Sequence, residues 1–309
     1  MSAPDAGPTI EVDHVSRWYG NVVAVNDITF SLRPGITGLL GPNGAGKSTL
    51  LHMLSGFLAP SNGEIRVLGR PAWRNPAMYR SVGLVPEREA VYPFLTGYEF
   101  VHLSAQLHGL ADPHAAAREA IRRVAMEPHQ GRATDGYSKG MKQRIKIAAA
   151  LVHDPPILLL DEPFNGADPA QRIQMIEMFR QLAAEGRTIL FSSHILEEME
   201  QLGENVLVIV AGRLAASGDF RAIRRLMTDR PHTFRVRSSD NRRFAAALVG
   251  SPCVTGVELD GDLMAIRTSD FGNFAIEAPR KAREAGVSIL EFIPTDESLE
   301  SVFEYLVTR

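Results

Sequence analysis

A glycine-rich turn between an apolar run and a helix-forming segment constrains the fold of this chain more than any other feature. The turn reads Gly41-Pro42-Asn43-Gly44-Ala45-Gly46-Lys47-Ser48-Thr49 and follows the apolar run Ile36–Leu40. It matches G-x-x-x-x-G-K-[ST], in which the glycines let successive backbone N–H groups converge on phosphate oxygens. We predict a strand before the turn and a helix over Lys47–Leu54, whose N-terminus is directed at the anion. Lys47 is expected to contact the β- and γ-phosphates, and the Ser48 hydroxyl is expected to ligate Mg²⁺.

An acidic pair at the end of a second apolar run supports the same kind of site. Ile157–Leu160 is apolar throughout, as in a central strand buried on both faces, and it leads into Asp161 and Glu162. Ligands bind at the carboxyl ends of such strands. We therefore expect Asp161 to hold Mg²⁺ through a water and Glu162 to accept a proton from an attacking water. An exposed turn after a strand is the alternative interpretation, and the glycine-rich turn argues against it.

Strands and helices alternate along the first two thirds of the chain, which indicates an α/β fold with a doubly wound sheet. The composition changes after about residue 220, where the basic segment 221–230 is typical of a linker, and the remaining pattern predicts a βαββαβ order. The predicted strands are those within Thr9–Leu32, Ser81–Val85, Thr188–Ser192, Thr233–Arg237, Val254–Leu259, Leu263–Thr268 and Val287–Phe292. The predicted helices are Thr96–Leu107, Pro113–Val124, one from Lys139 to a stop at Asp154, Ala170–Ala184, Asn241–Leu248, Phe271–Ala285 and Glu297–Leu306.

Composition and charge argue against several classes of protein. The chain has 309 residues and a net charge of −3, whereas proteins that bind a nucleic-acid backbone carry a basic excess. The one cysteine, Cys253, has no partner for an internal disulfide, which fits a reducing compartment. No stretch is apolar enough to span a membrane, and the first residues lack a secretory signal. We therefore expect a short disordered leader over residues 1–8 and a membrane function only through another chain.

The segment Tyr137-Ser138-Lys139-Gly140-Met141-Lys142-Gln143-Arg144, shortly before the acidic pair, carries a family resemblance. It resembles the signature motif of the ATP-binding subunits of ATP-binding cassette (ABC) transporters, in the variant typical of type-2 exporters. Ser138 and Gly140 match the motif, while Tyr137, Lys139 and Met141 replace its usual leucine, glycine and glutamine. Taken alone, the segment predicts only a helix capped by Ser138. Its position before ILLLDEP makes the resemblance specific, and all motifs over residues 9–220 follow the family order.

The resemblance implies roles for further residues. Tyr19 would stack on adenine, with Trp18 as the alternative, and His194 would contact the γ-phosphate and position the water. Glu87 occupies the slot of a usual glutamine, so its carboxylate would either ligate Mg²⁺ more strongly or carry a raised pKa. The residues expected to act in catalysis are Lys47, Glu162 and His194. The residues expected to bind Mg²⁺ are Ser48, Asp161 and, with reservation, Glu87. The residues expected to bind ATP are Tyr19, Gly41, Pro42, Asn43, Gly44, Ala45, Gly46, Lys47, Ser48, Thr49, Ser138, Gly140, Met141 and Asp168.

The resemblance also implies an architecture and partners. The fold would be a P-loop ATPase core with a mixed sheet over residues 9–220, a helical subdomain at about 88–155, a linker over 221–230 and a small C-terminal α+β domain over 231–309. Two copies would close head to tail around two ATP molecules, each signature facing the other copy's γ-phosphate. Separate integral-membrane permease subunits would dock at the cytoplasmic side of the membrane. The signature variant and the tail segment 296–303 favour export.

A docking surface for the permease is expected among the aromatic residues between Val91 and Val101, unless these form the core of the helical subdomain. Two alternative functions remain at this point. A soluble ABC protein acting on nucleic acid or the ribosome is disfavoured by the single set of motifs and by the gap of fewer than a hundred residues between Ser48 and Ser138. An ATP-sensing module without hydrolysis is disfavoured by Glu162 and His194.

Overall fold

The computed structural model describes residues 7–88, 91–202, 205–219 and 232–295. The chain divides into two compact units, Met1–Gly218 and Asp219–Arg309. The predicted linker over 221–230 and the predicted last helix over Glu297–Leu306 lie outside the described residues, as do residues 1–6 of the predicted leader. Among the described helices, none combines the length and the apolar character that a membrane span requires.

The strands of the first unit form two sheets. A four-stranded antiparallel sheet has the order β2-β1-β4-β5, and a six-stranded sheet has the order β10-β9-β3-β8-β7-β6, in which β9, β3, β8, β7 and β6 pair in parallel. The strands are β1 (Ile10–Tyr19), β2 (Val22–Leu32), β3 (Gly35–Leu40), β4 (Asn62–Val67), β5 (Arg70–Pro71), β6 (Val82–Val85), β7 (Ile157–Asp161), β8 (Thr188–Ser193), β9 (Asn205–Val210) and β10 (Arg213–Asp219).

The central position of β7 follows from its sequence. All residues of β7 are buried, as are those of β8, because helices and the four-stranded sheet cover the two faces of the six-stranded sheet. The prediction of a buried parallel strand ending at Asp161 is therefore confirmed. Beyond the strand end, Phe164 is 1% exposed and meets the rings of Phe179 and Phe191 edge to face, at centroid distances of 5.9 and 6.1 Å. This packing fixes the segment that follows the acidic pair.

Several helices of the first unit begin at a residue whose side chain accepts a hydrogen bond from a backbone N–H of the first turn. Thr96 and Glu99 form the predicted capping box, in which Thr96 Oγ1 accepts from the Glu99 N–H and the Glu99 carboxylate accepts from the Thr96 N–H. Asp112, Ser138 and Asp168 also cap their helices. The helices are α1 (Lys47–Leu54), α2 (Gly97–Leu107), α3 (Pro113–Arg123), α4 (Lys139–Leu151), α5 (Pro169–Ala184) and α6 (Leu196–Leu202).

Two histidines stack in the region of helices α2 and α4. The His108 and His153 rings lie 3.7 Å apart between centroids and 7° from parallel. Burial and the neighbouring His108 lower the pKa of His153 to about 4, against weaker opposing effects of the Val82 backbone and Asp154. Burial also lowers the pKa of His108. Both imidazoles are consequently neutral at pH 7.

The second unit has the predicted βαββαβ order. Its four strands form an antiparallel sheet with the order β12-β13-β11-β14. Phe234, Phe244 and Phe274 are fully buried between this sheet and the two helices, which gives the unit a core of its own. The elements are β11 (His232–Ser238), α7 (Asn241–Leu248), β12 (Val254–Asp260), β13 (Leu263–Thr268), α8 (Phe271–Glu284) and β14 (Ile289–Pro294).

Candidate active site

The loop between β3 and α1 needs glycine at defined positions. Gly46 has a φ of 103°, and a Cβ added there would lie 2.2 Å from the carbonyl oxygen of Ala24. Gly41 faces a similar restriction, since its Cβ would lie 2.4 Å from the carbonyl oxygen of Ile209. No side chain caps α1, whose N-cap is Gly46. The first N–H groups of the helix therefore remain available to an anion.

Lys47 is held at the centre of this loop. Its side chain is 7% exposed, and its Nζ donates to the carbonyl oxygens of Gly41 at 2.7 Å and Pro42 at 3.3 Å. The same nitrogen lies 4.0 Å from Glu162 Oε1. Burial lowers the pKa of Lys47, while nearby carboxylates, Glu162 foremost, oppose that shift. An ammonium in this position gains stronger bonds when phosphate oxygens replace neutral carbonyls as acceptors.

The acidic pair is fixed by a serine on the neighbouring strand. Parallel pairing sets Asp161 beside Ser192, whose hydroxyl donates to Asp161 Oδ1 at 2.5 Å and accepts from the Glu162 N–H at 2.9 Å. Asp161 is 3% exposed and Ser192 is fully buried. Glu162 has a φ of 48°, a left-handed conformation that is unfavourable for a residue with a Cβ. Such a backbone persists where the surroundings determine it, and it is common at functional sites.

Glu162 also contacts His194, the residue expected to contact the γ-phosphate and to position the water. His194 Nδ1 lies 3.0 Å from both carboxylate oxygens of Glu162. The Glu162 side chain is 10% exposed and that of His194 is 51% exposed, so the pair lies at the border between protein and solvent. A carboxylate in contact with an imidazole and close to an ammonium is well suited to orient a water and accept its proton.

A buried chain of polar groups positions the segment of His194. Ser193 Oγ accepts from the Ile195 N–H at 2.9 Å and donates to Glu198 Oε2 at 2.6 Å. Arg172, in the first turn of α5, lies 3.5 Å from Glu198 Oε1. Burial raises the pKa of Glu198, and Ser193 and Arg172 oppose that shift. Sequence analysis missed these three residues because it offers no signal that links α5, α6 and β8 in space.

One cleft brings most of the predicted phosphate and metal residues together. Glu87, Asp161 and Glu162 line it together with the glycine-rich loop and with Ala24, which was not predicted. The hydroxyl of Ser48 and the carboxylates of Asp161 and Glu87 are the hard oxygen donors that Mg²⁺ prefers, so the donor set fits this ion. The loop residues that line the cleft are Asn43, Gly44, Gly46, Lys47, Ser48 and Thr49.

Other predicted residues lie elsewhere in the described part of the unit. Tyr19 is 47% exposed, with the Arg17 guanidinium 4.8 Å from its ring centroid, and Trp18 is 46% exposed. Ser138 and Asp168 are exposed helix caps that accept from the N–H groups of Met141 at 3.2 Å and Gln171 at 2.8 Å. The lining of the cleft includes none of Tyr19, Ser138, Gly140, Met141 and Asp168. These five residues are therefore placed outside the cleft that the phosphate loop lines.

The signature segment packs against the loop before α5. A Cβ on Gly140 would lie 2.3 Å from Gln171 Oε1 and 3.0 Å from the Gly166 carbonyl oxygen. A larger residue at 140 would therefore have to displace the Gln171 side chain and would leave little room beside the Gly166 carbonyl oxygen. In the next turn of α4, Gln143 Nε2 lies 3.5 Å from the carbonyl oxygen of Glu162. Helix α4 thus contacts both the loop at Gly166 and the acidic pair.

Comparisons with known proteins agree with this geometry. The family model "ABC transporter" matches residues 25–165. The chain is 34% identical over 303 residues to the bacitracin transport ATP-binding protein BcrA of Enterococcus faecalis, covering 96% of each chain. It is 39% identical over 213 residues to the Nod factor export ATP-binding protein I of Paraburkholderia xenovorans, covering 68% of this chain and 70% of that one.

A solved structure of an ATP-binding subunit of an ABC transporter is 32% identical, with a TM-score of 0.65 over 70% of this chain and 92% of that one. The match of family model, relatives and fold, together with the phosphate loop and the acidic pair, supports one conclusion. The chain belongs to the ATP-binding subunits of ABC transporters, a family of ATPases.

Proposed function

We propose that this subunit hydrolyses ATP to power export through separate membrane permease subunits, at the cytoplasmic side of the membrane. The observation that carries the proposal is the position of Glu162, whose carboxylate contacts His194 at 3.0 Å and lies 4.0 Å from Lys47. The names of the bacitracin transport and Nod factor export relatives support transport and its outward direction.

The residues of the cleft divide the chemistry among them. The N–H groups of the loop before α1 and the Lys47 ammonium bind and orient the phosphates. Ser48, Asp161 and Glu87 would hold Mg²⁺, which supplies positive charge to the phosphoryl group when bound. Glu162 accepts the proton of the attacking water, and His194 orients that water and the carboxylate. Ser192 helps to position both residues, because its hydroxyl binds the Asp161 carboxylate and the Glu162 N–H.

We further propose that a second copy of the chain completes each site. Ser138, Gly140, Met141 and Asp168 lie outside the cleft of their own chain, and Ser138 is exposed at the start of α4. The N-terminus of α4 would add its dipole to a γ-phosphate held by the other copy. Tyr19, with half of its surface exposed, would stack on adenine. ATP binding would then favour the closed dimer, and hydrolysis would reopen it.

The surface for the permease is proposed around an exposed aromatic cluster at the start of the helical subdomain. Tyr92 is 53% exposed and Phe94 is 76% exposed, with ring centroids 5.8 Å apart, and Phe100 lies 6.1 Å from Tyr92. Exposed aromatic residues grouped in this way are typical of protein interfaces and disfavour a pure core role.

We also propose that residues 9–220 form the ATP-binding cassette and that residues 231–309 form the accessory domain.

Phosphate release by the purified chain tests the enzyme assignment. We expect the wild type to hydrolyse ATP, and Lys47→Ala and Glu162→Gln to lose at least about a hundredfold in turnover. Glu162→Gln should still bind ATP, whereas Lys47→Ala should bind it poorly. Lys281→Ala, on α8 of the second unit, is the control and should match the wild type. Equal background turnover in wild type and Glu162→Gln would favour an ATP-sensing module instead.

A further inference from the structure

Lys146 is a buried cation for which the reaction above has no use. It lies on α4, about two turns after the cap residue Ser138, and is 5% exposed. Its Nζ donates to the backbone carbonyl oxygens of Pro86 at 2.7 Å, Arg88 at 2.9 Å and Glu87 at 3.4 Å. These three carbonyls belong to one short loop, which directly follows β6.

The contacts of Lys146 are of a kind that fixes a backbone. An ammonium carries three N–H donors, and its bonds to carbonyl oxygens are charge assisted and stronger than bonds between neutral groups. Burial strengthens them further and makes the loss of any one more costly. The loop over residues 86–88 is therefore bound to α4 by a side chain, in addition to its continuity with β6.

The same loop carries a predicted metal ligand to the phosphate cleft. Strand β6 pairs in parallel with β7, with Val85 beside Leu160, so the loop leaves the sheet at the edge where Asp161 lies. Glu87 lines the cleft with Ser48 and Asp161. One backbone segment thus contacts Lys146 through its carbonyl groups and presents a carboxylate to the phosphate site.

We propose that Lys146 is a positioning residue, which ties the loop over residues 86–88 to the signature helix and thereby sets the position of the Glu87 carboxylate at the metal site. The part of this inference that concerns the metal rests on the proposed function. The part that concerns the loop does not, because it follows from the contacts of the chain alone. Displacement of α4 relative to the sheet would be transmitted to Glu87 through this tie.

Hydrogen exchange of the nucleotide-free protein tests the tie itself. In Lys146→Met, which keeps the apolar stem and removes the ammonium, peptides covering residues 82–88 should exchange about tenfold faster than in the wild type. Arg118→Met, which removes an exposed cation from α3, is the matched control and should leave these peptides unchanged. Unchanged exchange in a folded Lys146→Met protein would overturn the proposal. Lys146→Arg keeps charge and donors, and should restore most of the protection.

Manganese(II) as a spectroscopic probe tests the consequence for Glu87. Its binding to the protein with a non-hydrolysable ATP analogue is titrated by electron paramagnetic resonance. Lys146→Met should weaken manganese binding about tenfold, as the loss of a group that orients a metal ligand does. In a Glu87→Ala background the same substitution should have no further effect. An equal loss in both backgrounds would contradict an action through Glu87.

The two measurements also separate this inference from the proposed function. A chain that binds neither nucleotide nor manganese but shows the expected change in exchange would refute the proposed function and retain the tie. A chain with normal metal binding and unchanged exchange would refute the tie and leave the proposed function intact. Should Lys146→Met not fold, the comparison is made between Lys146→Arg and Lys146→Gln, and equal exchange in both would refute the tie.

Discussion

Ser192→Ala removes the hydroxyl that binds both the Asp161 carboxylate and the backbone N–H of Glu162. Ser192 is fully buried, and its hydroxyl serves Asp161 Oδ1 at 2.5 Å and the Glu162 N–H at 2.9 Å. Each group that loses its partner in a buried position costs about 1 to 3 kcal/mol, with the higher figure for a charged acceptor. Two such groups are affected, so we expect the free energy of unfolding to fall by about 2 to 6 kcal/mol.

Urea denaturation followed by tryptophan fluorescence measures this loss in the relevant unit. Both tryptophans, Trp18 and Trp73, lie in the first unit, so the signal reports its unfolding. The midpoint should fall at an unchanged slope, as expected when stability alone changes. Ser104→Ala, whose hydroxyl makes only a 3.4 Å bond within α2, is the control and should change stability by less than about 0.5 kcal/mol. A Ser192→Ala protein as stable as this control would refute the reasoning.

Three further predictions concern the backbone of the phosphate loop, the pH dependence of stability and the segment of His194. Gly46→Ala should have a lower melting temperature than Gly44→Ala. Both glycines have a positive φ, but only at Gly46 does a backbone atom lie within 3 Å of the added Cβ. Equal melting temperatures would contradict this prediction. The pKa of His153 is lowered to about 4, so its contribution to the free energy of unfolding is fully present above about pH 6.5 and falls by about 1 to 2 kcal/mol on acidification to pH 5. Urea titrations should show that the free energy of unfolding depends less on pH in His153→Phe than in the wild type. The same pH dependence in both proteins would refute this prediction. Arg172→Ala leaves the buried Glu198 carboxylate without its cation, so kcat should fall several-fold at constant KM for ATP. Arg172→Lys should partly restore kcat, and a change confined to KM would argue against positioning of the His194 segment.

Local signals explain which elements are predictable from sequence. The helix after Thr96, the strand before Asp161 and the glycine loop each carry their own pattern: a capping box, a continuous apolar run and a motif. By contrast, β4, β9, β10 and α6 were not predicted. Strand β4 lies exposed along most of its length, with burial only at Ile65 and Val67, so no apolar run marks it. Tertiary pairing, and not local preference, makes it a strand.

The residues of the candidate site likewise divide into those that local sequence patterns predict and those that depend on tertiary contacts. Lys47, Asp161 and Glu162 were found because their spacing to a strand or helix is local. Ser192 was assigned only as a strand end, because its role depends on the register between β7 and β8, which a single sequence does not contain. The sequence predicts Lys146 only as an ordinary helix residue. Its three carbonyl partners lie about sixty residues earlier in the chain, so no local pattern indicates the contact.

The central claim is that ATP joins two copies of the chain, and the mass of Glu162→Gln in solution tests it most directly. This variant should bind ATP without hydrolysing it, so light scattering should give 33.9 kDa per particle without nucleotide and twice that mass with ATP. Adding Ser138→Arg should leave ATP bound and return the mass to that of one chain, because the proposed dimer places this residue against the other copy's nucleotide. A Glu162→Gln protein that holds ATP and stays at the mass of one chain would contradict the account.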